Sequence, residues 1–407
     1  MSTSGTANIA MRLRQARTIA DLTLDEVSAR LTANGHPLTK AALSKYETGK
    51  STPRQSTLLA LARILGVRSD FFVRGPTVQI EWRAFRKHAS LSKHLQEQIQ
   101  ASIAQIVEGH VWLEESIQPG QKPRFPRPYR ADTIDDAEAA AESVRKHWKL
   151  NETPIESMTQ MIEDHGGVAV CSMDAPPNFD GLSGWANGSF PVLVSSARPS
   201  IDRRRYNFAH ELGHLAMNCT GLSEKEEERL AHRFAAAFLV PASVAKRELG
   251  ATRQNISMEE LMLLKKKYGL SMQAWAHRAR DLGIIGDAAY KRLWEQFDAN
   301  GWREQEPVAF IGSEEPVRLK LLTLRALAEG VITPIRAEEL CSGCTGDTAR
   351  VDSTIPRLSV RELRKQPPEM REEALRQSVV AVEADYRNDA DLTAFEAFGE
   401  HDFHVDS

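Results

Sequence analysis

The sequence predicts a multidomain, mainly α protein with one mixed α+β region near its centre. Its 407 residues correspond to two to four domains at roughly 150 residues each. Apolar residues recur at helical spacing in most of the chain, whereas residues 167–194 contain alternating Val- and Gly-rich runs typical of short strands. Because 42% of the residues are hydrophobic and 26% are charged, the chain has enough apolar material for several folded cores.

Turn-forming residues and changes of charge divide the chain into segments. We predict an all-α head at 1–75, a linker with a strand and an amphipathic helix at 76–130, an α+β domain at 131–285, a small helical region at 286–345 and an extended tail at 346–407. The head has eleven Lys or Arg against five Asp or Glu, while residues 385–407 have one Arg against seven acids. A basic head and an acidic tail indicate different partners at the two ends.

The sequence contains neither a membrane segment nor a secretion signal. No apolar run approaches the ~20 residues that a membrane-spanning helix needs, so we expect no membrane partner. The first residues lack the apolar segment of a secretory signal, and only four cysteines are spread over the chain. A cytoplasmic protein is therefore expected.

The head carries the start signals of a helix-turn-helix. Thr23 with Glu26 three residues later is a capping box, and Thr39 is a plausible N-cap of a second helix after the turn at 34–37. In DNA-binding proteins of this type the second helix enters the major groove, so its small and polar residues reach bases or phosphates. The candidate DNA-binding residues are Lys40, Ala41, Ser44 and Lys45. The alternative is a helical bundle that uses the same fold for protein contacts alone.

Further residues of the head complete a family pattern. They are Leu24–Val27, Leu43–Lys50, Pro53, Leu58–Val67 and Phe71–Phe72. With these residues the head resembles the XRE family of lambda-repressor-like regulators. The resemblance implies a domain that binds double-stranded operator DNA as a homodimer, and the positive charge favours phosphate contacts. The turn at Thr32–Pro37 is longer than in the family.

The most chemically specific segment is His210-Glu211-Leu212-Gly213-His214. Residues four apart share a helix face, so His210 and His214 can bind one metal ion while Glu211 lies beside it. Zinc lowers the pKa of a water molecule to about 7, and a neighbouring carboxylate can take its proton as the water attacks a peptide carbonyl. A buried helix with two incidental histidines is the alternative.

A catalytic zinc needs a third protein ligand, and the following helix offers candidates. Glu228 lies on the apolar face of that helix, whereas Glu226 and Glu227 point away at about 100° per residue. A carboxylate on a buried face needs compensation, which a metal ion supplies. Glu224 and His232 lie near the same face and remain alternatives.

The two helices together match a second family signature, HExGH followed by a helix of the form E-x-x-A-x-x-F-A and a turn. The second part is Glu228–Pro241, with Val240 where the signature has Met. Residues from about 130 to 285 thus resemble the ImmA/IrrE family of metallo-endopeptidases. The resemblance implies a zincin-like peptidase domain with a small sheet, with Glu211 as general base and with Zn²⁺ ligands His210, His214 and Glu228. His232 stands where the family usually has Asn or Asp.

Strand-like runs at 181–187 and 190–195 precede the motif helix. In zinc peptidases an edge strand commonly holds the substrate backbone by strand addition, and these residues could provide that edge. A purely structural sheet is the alternative.

The acidic tail is too polar to fold alone, yet it contains spaced apolar anchors for a basic groove. The candidate partner-binding residues are Tyr386, Leu392, Phe395, Phe398 and Phe403. The tail resembles the short antitoxins of toxin–antitoxin pairs, which implies a cognate toxin as partner. A solvated terminus is the alternative.

These features predict a DNA-binding transcriptional regulator with a zinc-dependent endopeptidase. ImmA/IrrE peptidases cleave or displace helix-turn-helix repressors, so the resemblance implies a repressor-type protein or the chain itself as substrate, in a stress-response or toxin–antitoxin context. The alternative is a non-enzymatic antitoxin and autorepressor that binds operator DNA through its head and a toxin through its tail, with zinc serving structure.

Overall fold

Helices dominate the architecture, which confirms the predicted fold class. The structure is a computed structural model that describes residues 3–75, 77–83, 91–172, 176 and 179–343. The chain forms two compact units, Met1–Arg318 and Leu319–Ser407. The helices are α1 (Thr3–Ile19), α2 (Leu24–Ala33), α3 (Lys40–Glu47), α4 (Gln55–Leu65), α5 (Lys93–Ile117), α6 (Ile134–His147), α7 (Met158–Asp164), α8 (Ile201–Ala216), α9 (Glu224–Leu239), α10 (Ala242–Leu249), α11 (Met258–Tyr268), α12 (Met272–Asp281), α13 (Asp287–Ala299), α14 (Arg318–Ala328) and α15 (Pro334–Leu340). The strands are β1 (Ile80–Trp82), β2 (Tyr129–Arg130), β3 (Val168–Ser172), β4 (Gly181–Ala186), β5 (Phe190–Ser196) and β6 (Met217–Asn218).

The head consists of α1 to α4 and a short 3-10 helix around one apolar core. Thr23 and Glu26 form the predicted capping box at the start of α2, and the Thr39 side chain accepts a backbone N–H at the start of α3. Arg17 of α1 donates hydrogen bonds of 2.5 and 2.9 Å to Glu47 of α3. This ion pair fixes α3, the second helix of the helix-turn-helix, against the rest of the head.

The long helix α5 connects the head to the central sheet. Ile99, Ile103 and Val107 on one face are buried in the cluster that includes the sheet residues of β3, β4 and β5. Elsewhere on α5, Glu108 accepts two hydrogen bonds of 2.7 and 2.5 Å from Arg12 of α1, whose side chain is almost fully buried. The amphipathic face therefore serves internal packing.

The central sheet has the strand order β1-β4-β5-β3. Strand β4 is antiparallel to both β1 and β5, and β3 is parallel to β5. Because side chains alternate along a strand, Val192 and Val194 of β5 belong to the core beneath α5, while Leu193 belongs to the core that contains α8. The sheet thus separates α5 from the helix that carries the histidine motif. Strands β2 and β6 form a separate parallel pair.

Helix α9 is packed against α6 and α8. The buried face of α6 carries three fully buried small residues, Ala137, Ala140 and Ala141. These small side chains allow α6 and α9 to approach closely. Arg278 of α12, also fully buried, donates a 2.8 Å hydrogen bond to Glu138 and a 3.1 Å hydrogen bond to the carbonyl oxygen of Val240 at the end of α9. These contacts fix the helix that carries Glu228.

The last helices of the first unit extend the same core. Leu293 and Phe297 of α13 are buried in it. In the second unit, Leu322 and Ala326 of α14 are buried. Of the helices among the described residues, none is both long and apolar enough to cross a membrane.

Candidate metal centre

Helix α8 presents the two motif histidines from a buried position. His210 and His214 are 8% and 4% exposed, and one helical turn separates them. Their Nε2 atoms lie 3.2 Å apart. Two imidazole nitrogens that converge at this distance are arranged to bind one ion between them.

Helix α9 brings a carboxylate to the same point. Ser223 and Glu226 form a capping box that starts α9, and Glu228 lies in its second turn. The Glu228 oxygens are 3.6 Å from Nε2 of His210 and 3.3 Å from Nε2 of His214. Ligand atoms bound to one tetrahedral zinc at 2.0–2.1 Å lie roughly 3.3–3.4 Å apart. The three predicted ligands therefore fit a zinc ion.

His232 on α9 forms a second possible ligand set with His210 and Glu228. One ligand atom from each of these three residues lies within 4.8 Å of the others. The His232 ring is exposed, its centroid is 4.4 Å from that of His210, and its Nδ1 is 3.1 Å from the hydroxyl oxygen of Tyr206. The shorter distances favour His214 as the third ligand. Glu224, the other alternative from the sequence, is an exposed residue at the start of α9 and belongs to neither set.

Glu227 contacts the site although the helical projection directed it away. Its Oε1 lies 3.2 Å from Nδ1 of His214. A histidine that binds a metal usually donates its other ring N–H to a carboxylate, which fixes the tautomer and the ring orientation. The projection considered α9 alone, whereas Glu227 reaches His214 because α8 and α9 pack side by side. The general need for such an outer carboxylate could have identified it.

Glu211 is a buried carboxylate between the histidines and the sheet. It is 4% exposed, and a Cβ atom at Gly181 of β4 would lie 3.0 Å from its Oε1. Among the described residues none donates a hydrogen bond to its buried Oε2. A water molecule beside a bound zinc would satisfy this oxygen, so the residue fits the role of a base.

Tyr206 lies one turn before His210 on α8 and is not among the site residues predicted from the sequence. Its hydroxyl donates a 3.2 Å hydrogen bond to the carbonyl oxygen of His232. Burial raises the pKa of Tyr206 to about 12, so the hydroxyl remains protonated at neutral pH. His165 has a structural position, because its ring is stacked on Trp148 at 4.5 Å.

The candidate DNA-binding residues lie on the outer surface of α3. Lys40, Ala41 and Lys45 are exposed and Ser44 is half-buried. Lys40 makes a 2.6 Å ion pair with Asp25 of α2, in which both side chains are mostly exposed. Such an exposed pair is weak and leaves the ammonium group available to a phosphate.

The candidate residues of the tail, Tyr386, Leu392, Phe395, Phe398 and Phe403, lie outside the described residues.

The fold and the site define a helix-turn-helix protein with a metallopeptidase-type domain. Residues 163–280 match the peptidase family M78 model, which is described as the IrrE N-terminal-like domain, and residues 13–72 match a helix-turn-helix family model. The matches confirm the fusion of these two domains. Comparison with curated proteins finds no match.

Proposed function

We propose that the chain is a DNA-binding regulator with zinc-dependent endopeptidase activity. The observation that carries this proposal is the convergence of His210, His214 and Glu228 beside the buried carboxylate of Glu211. Its substrate is a repressor-type protein or the chain itself, in a stress-response or toxin–antitoxin setting. A peptidase-type domain and a DNA-binding domain in one polypeptide support a substrate that is itself part of gene regulation.

In this proposal each side chain of the site has one role. His210, His214 and Glu228 would hold the zinc, which would supply Lewis-acid chemistry for the peptide carbonyl and the attacking water. Glu211 accepts the proton of that water at Oε2 and delivers it to the leaving nitrogen. The protonated hydroxyl of Tyr206 would act as a hydrogen-bond donor to the developing oxyanion after leaving the carbonyl oxygen of His232.

Elemental analysis of the purified full chain tests the metal site. We expect about one zinc per chain in the wild type, because three ligands hold a catalytic zinc. His210→Ala, His214→Ala and Glu228→Ala should lose it, whereas His232→Ala should retain it. A wild-type chain that binds no zinc even when zinc is added would contradict the proposal. Zinc loss in His232→Ala but not in His214→Ala would assign the alternative ligand set.

Glu211→Gln tests the catalytic role. The amide cannot accept a proton from water, so we expect cleavage to fall by about 10²- to 10⁴-fold with zinc retained. Cleavage of unfolded β-casein and of the chain itself can be followed by intact mass. Unchanged cleavage in this variant would exclude Glu211 as the base.

We further propose that the exposed face of α3 binds operator DNA, which would place the protein in the cytoplasm with the chromosome. Lys45→Ala should weaken binding to a short DNA duplex and reduce the salt slope by about 1 if Lys45 neutralises one phosphate. Anisotropy of labelled duplex at several salt concentrations measures both. Lys291→Ala, which changes an exposed residue of α13, is the control and should leave the salt dependence of DNA binding unchanged.

A further inference from the structure

Strand β1 covers the outer edge of β4. It is paired with β4 in the register Ile80 to Ala186, Glu81 to Trp185 and Trp82 to Gly184. The N–H of Arg83 continues this pairing with a 2.9 Å hydrogen bond to the carbonyl oxygen of Ser183. In the strand order β1-β4-β5-β3, β4 would be the edge strand if β1 were removed.

Strand β4 is also the strand that leads to the proposed base. Gly181, its first residue, packs directly against Glu211, since a Cβ atom there would lie 3.0 Å from Glu211 Cγ and Oε1. Strand β1 is antiparallel to β4, so it runs towards the end of β4 that holds Gly181. An extended polypeptide on this edge would be directed towards the candidate metal centre.

Strand β1 lies outside the residues that match the peptidase family. The match to the peptidase family covers residues 163–280, which include β3, β4, β5, α8 and α9, whereas β1 belongs to the segment between the head and α5. It is only three residues long, at the lower limit for a strand. Ile80 and Trp82 are half-buried against the core beneath α5, and Glu81 is exposed. Such a short strand can be displaced.

We propose that β1 is an internal ligand on the backbone-binding edge of β4, and that an extended substrate segment must displace it. This inference rests on the proposed peptidase function. The ligand class is an unfolded or extended polypeptide, which the edge recognises through main-chain hydrogen bonds. The free edge and the β1-bound edge are two states, so the apparent Kd for substrate is the intrinsic Kd divided by the fraction of chains with a free edge.

The carboxylate of Glu108 connects the head to the segment that precedes this strand. Glu108 accepts hydrogen bonds of 2.9 Å from the N–H of Thr77 and 3.1 Å from its hydroxyl, and it also binds Arg12 of α1. Asn187, in the turn after β4, accepts a hydrogen bond from the N–H of Gln79 and donates one to the carbonyl oxygen of Thr77. These hydrogen bonds join the head and the turn after β4 to the segment that enters β1.

Glu81→Pro is the variant that tests the proposal. The hydrogen-bonded pairs Arg83–Ser183 and Gln79–Asn187 lie on either side, so alternation makes Glu81 the hydrogen-bonded partner of Trp185. Proline removes the central N–H donor of this short strand. Glu81→Ala keeps the donor and loses only the exposed side chain, which makes it the matched control.

The experiment measures binding of fluorescein-labelled β-casein by anisotropy, in the full chain with Glu211→Gln present so that nothing is cleaved. We expect the Kd to be at least about tenfold lower with Glu81→Pro than with Glu81→Ala or with no further change, because more chains have a free edge. Deuterium exchange at Trp185 and Asn187 should be faster only in the proline variant and in a second variant, Ile80→Asp with Trp82→Asp, which removes the apolar anchors.

Two results would overturn the proposal. Faster exchange with an unchanged Kd would mean that β4 does not bind the polypeptide. Unchanged exchange in both the proline and the anchor variants would mean that β1 does not protect β4. Because binding is measured without turnover, these results differ from a failure of the proposed function, which would appear as absent zinc or as cleavage that does not depend on Glu211.

Discussion

At the scale of single residues, the carboxylates of Glu227 and Glu228 contact different ring nitrogens of His214. Glu227 lies 3.2 Å from Nδ1 of His214, while Glu228 lies 3.3 Å from Nε2. The first contact favours a proton on Nδ1 and leaves Nε2 as the metal-binding atom. An outer carboxylate of this kind raises metal affinity without binding the metal.

We therefore predict that Glu227→Gln weakens zinc binding by about 10- to 100-fold, measured by competition with a chromophoric chelator. The amide retains the size of the side chain but loses the charge that favours the tautomer. Glu224→Gln changes an exposed residue one turn earlier on the same helix and should bind zinc as the wild type does. Equal losses in both variants would indicate a general effect of negative charge instead.

Sequence reasoning could group His210, Glu211 and His214 because a single helix determines their spacing. The prediction of Glu228 required only its position on the apolar face of a second helix. The contacts of Glu227 with His214 and of Tyr206 with His232 depend on how α8 and α9 cross. That crossing is a tertiary property, so a projection of one helix cannot contain it.

At the scale of elements, α8 and α9 approach each other at Gly213. A Cβ atom there would lie 3.0–3.3 Å from atoms of Phe234 on α9. We predict that Gly213→Ala destabilises the protein by about 1–3 kcal/mol, because overpacking outweighs the better helix propensity of alanine. Urea unfolding measures the change. Gly286→Ala is the control, since a Cβ atom at Gly286 would have no neighbour within 4 Å. Equal stabilities of the two variants would refute the close approach.

Glu163, in the last turn of α7, is a buried carboxyl whose ionisation makes the stability of the fold depend on pH. Glu163 accepts hydrogen bonds of 3.2 and 3.1 Å from the N–H groups of Val317 and Arg318 at the start of α14, yet burial raises its pKa to about 7. The unfolded chain releases this proton near 4.5. Between these two values the folded chain holds a proton that the unfolded chain does not, so stability falls as the pH rises.

We predict that the free energy of unfolding of the wild type falls by about 2–3 kcal/mol between pH 5 and pH 8 because Glu163 ionises. Glu163→Gln should not show this fall. The glutamine keeps a carbonyl oxygen as acceptor but cannot ionise. The measurement is the free energy of unfolding at both pH values. Glu259→Gln, a change at an exposed residue of α11, should leave the pH dependence as in the wild type. Parallel pH curves for wild type and Glu163→Gln would contradict the assignment.

At the scale of the whole molecule, the Arg12–Glu108 pair attaches the head to α5. Burial would raise the pKa of Glu108, but Arg12 and the N–H of Thr77 outweigh it and keep the pKa below its ordinary value. The ionised form is therefore favoured by folding. The stability that ionised Glu108 contributes is present above its ordinary pKa and is lost as the pH falls through its lowered pKa.

We predict a coupling energy of about 1–3 kcal/mol between Arg12→Ala and Glu108→Ala in a double-mutant cycle. Breaking a buried pair leaves its partner uncompensated, so each single change should cost nearly as much as both together. The free energy of unfolding in urea measures the cycle. Lys40 and Asp25 form an exposed pair for comparison, and their coupling should stay below about 1 kcal/mol. Similar couplings in both pairs would mean that the head is not held by Arg12.

The domain composition could be predicted because short motifs and caps specify it locally, as Thr23, Thr39 and the histidine motif do. A strand in the linker was also expected, but its partner was not. Three residues at Ile80–Trp82 carry too little pattern to select one edge among several, because strand pairing depends on the assembled sheet.

The pairing of β1 with β4 also bears on how this protein can be divided for study. A fragment that begins at residue 131 would contain β4 without β1. Its run Gly181–Ala186 has no charged residue, and its unpaired main-chain groups would form a template for another chain. In the full chain a very short strand with the exposed Glu81 covers that edge, two features that natural sheets use against aggregation. A few linker residues thus cover the edge that a shorter fragment would expose, and a fragment intended to remain monomeric should start before Thr77.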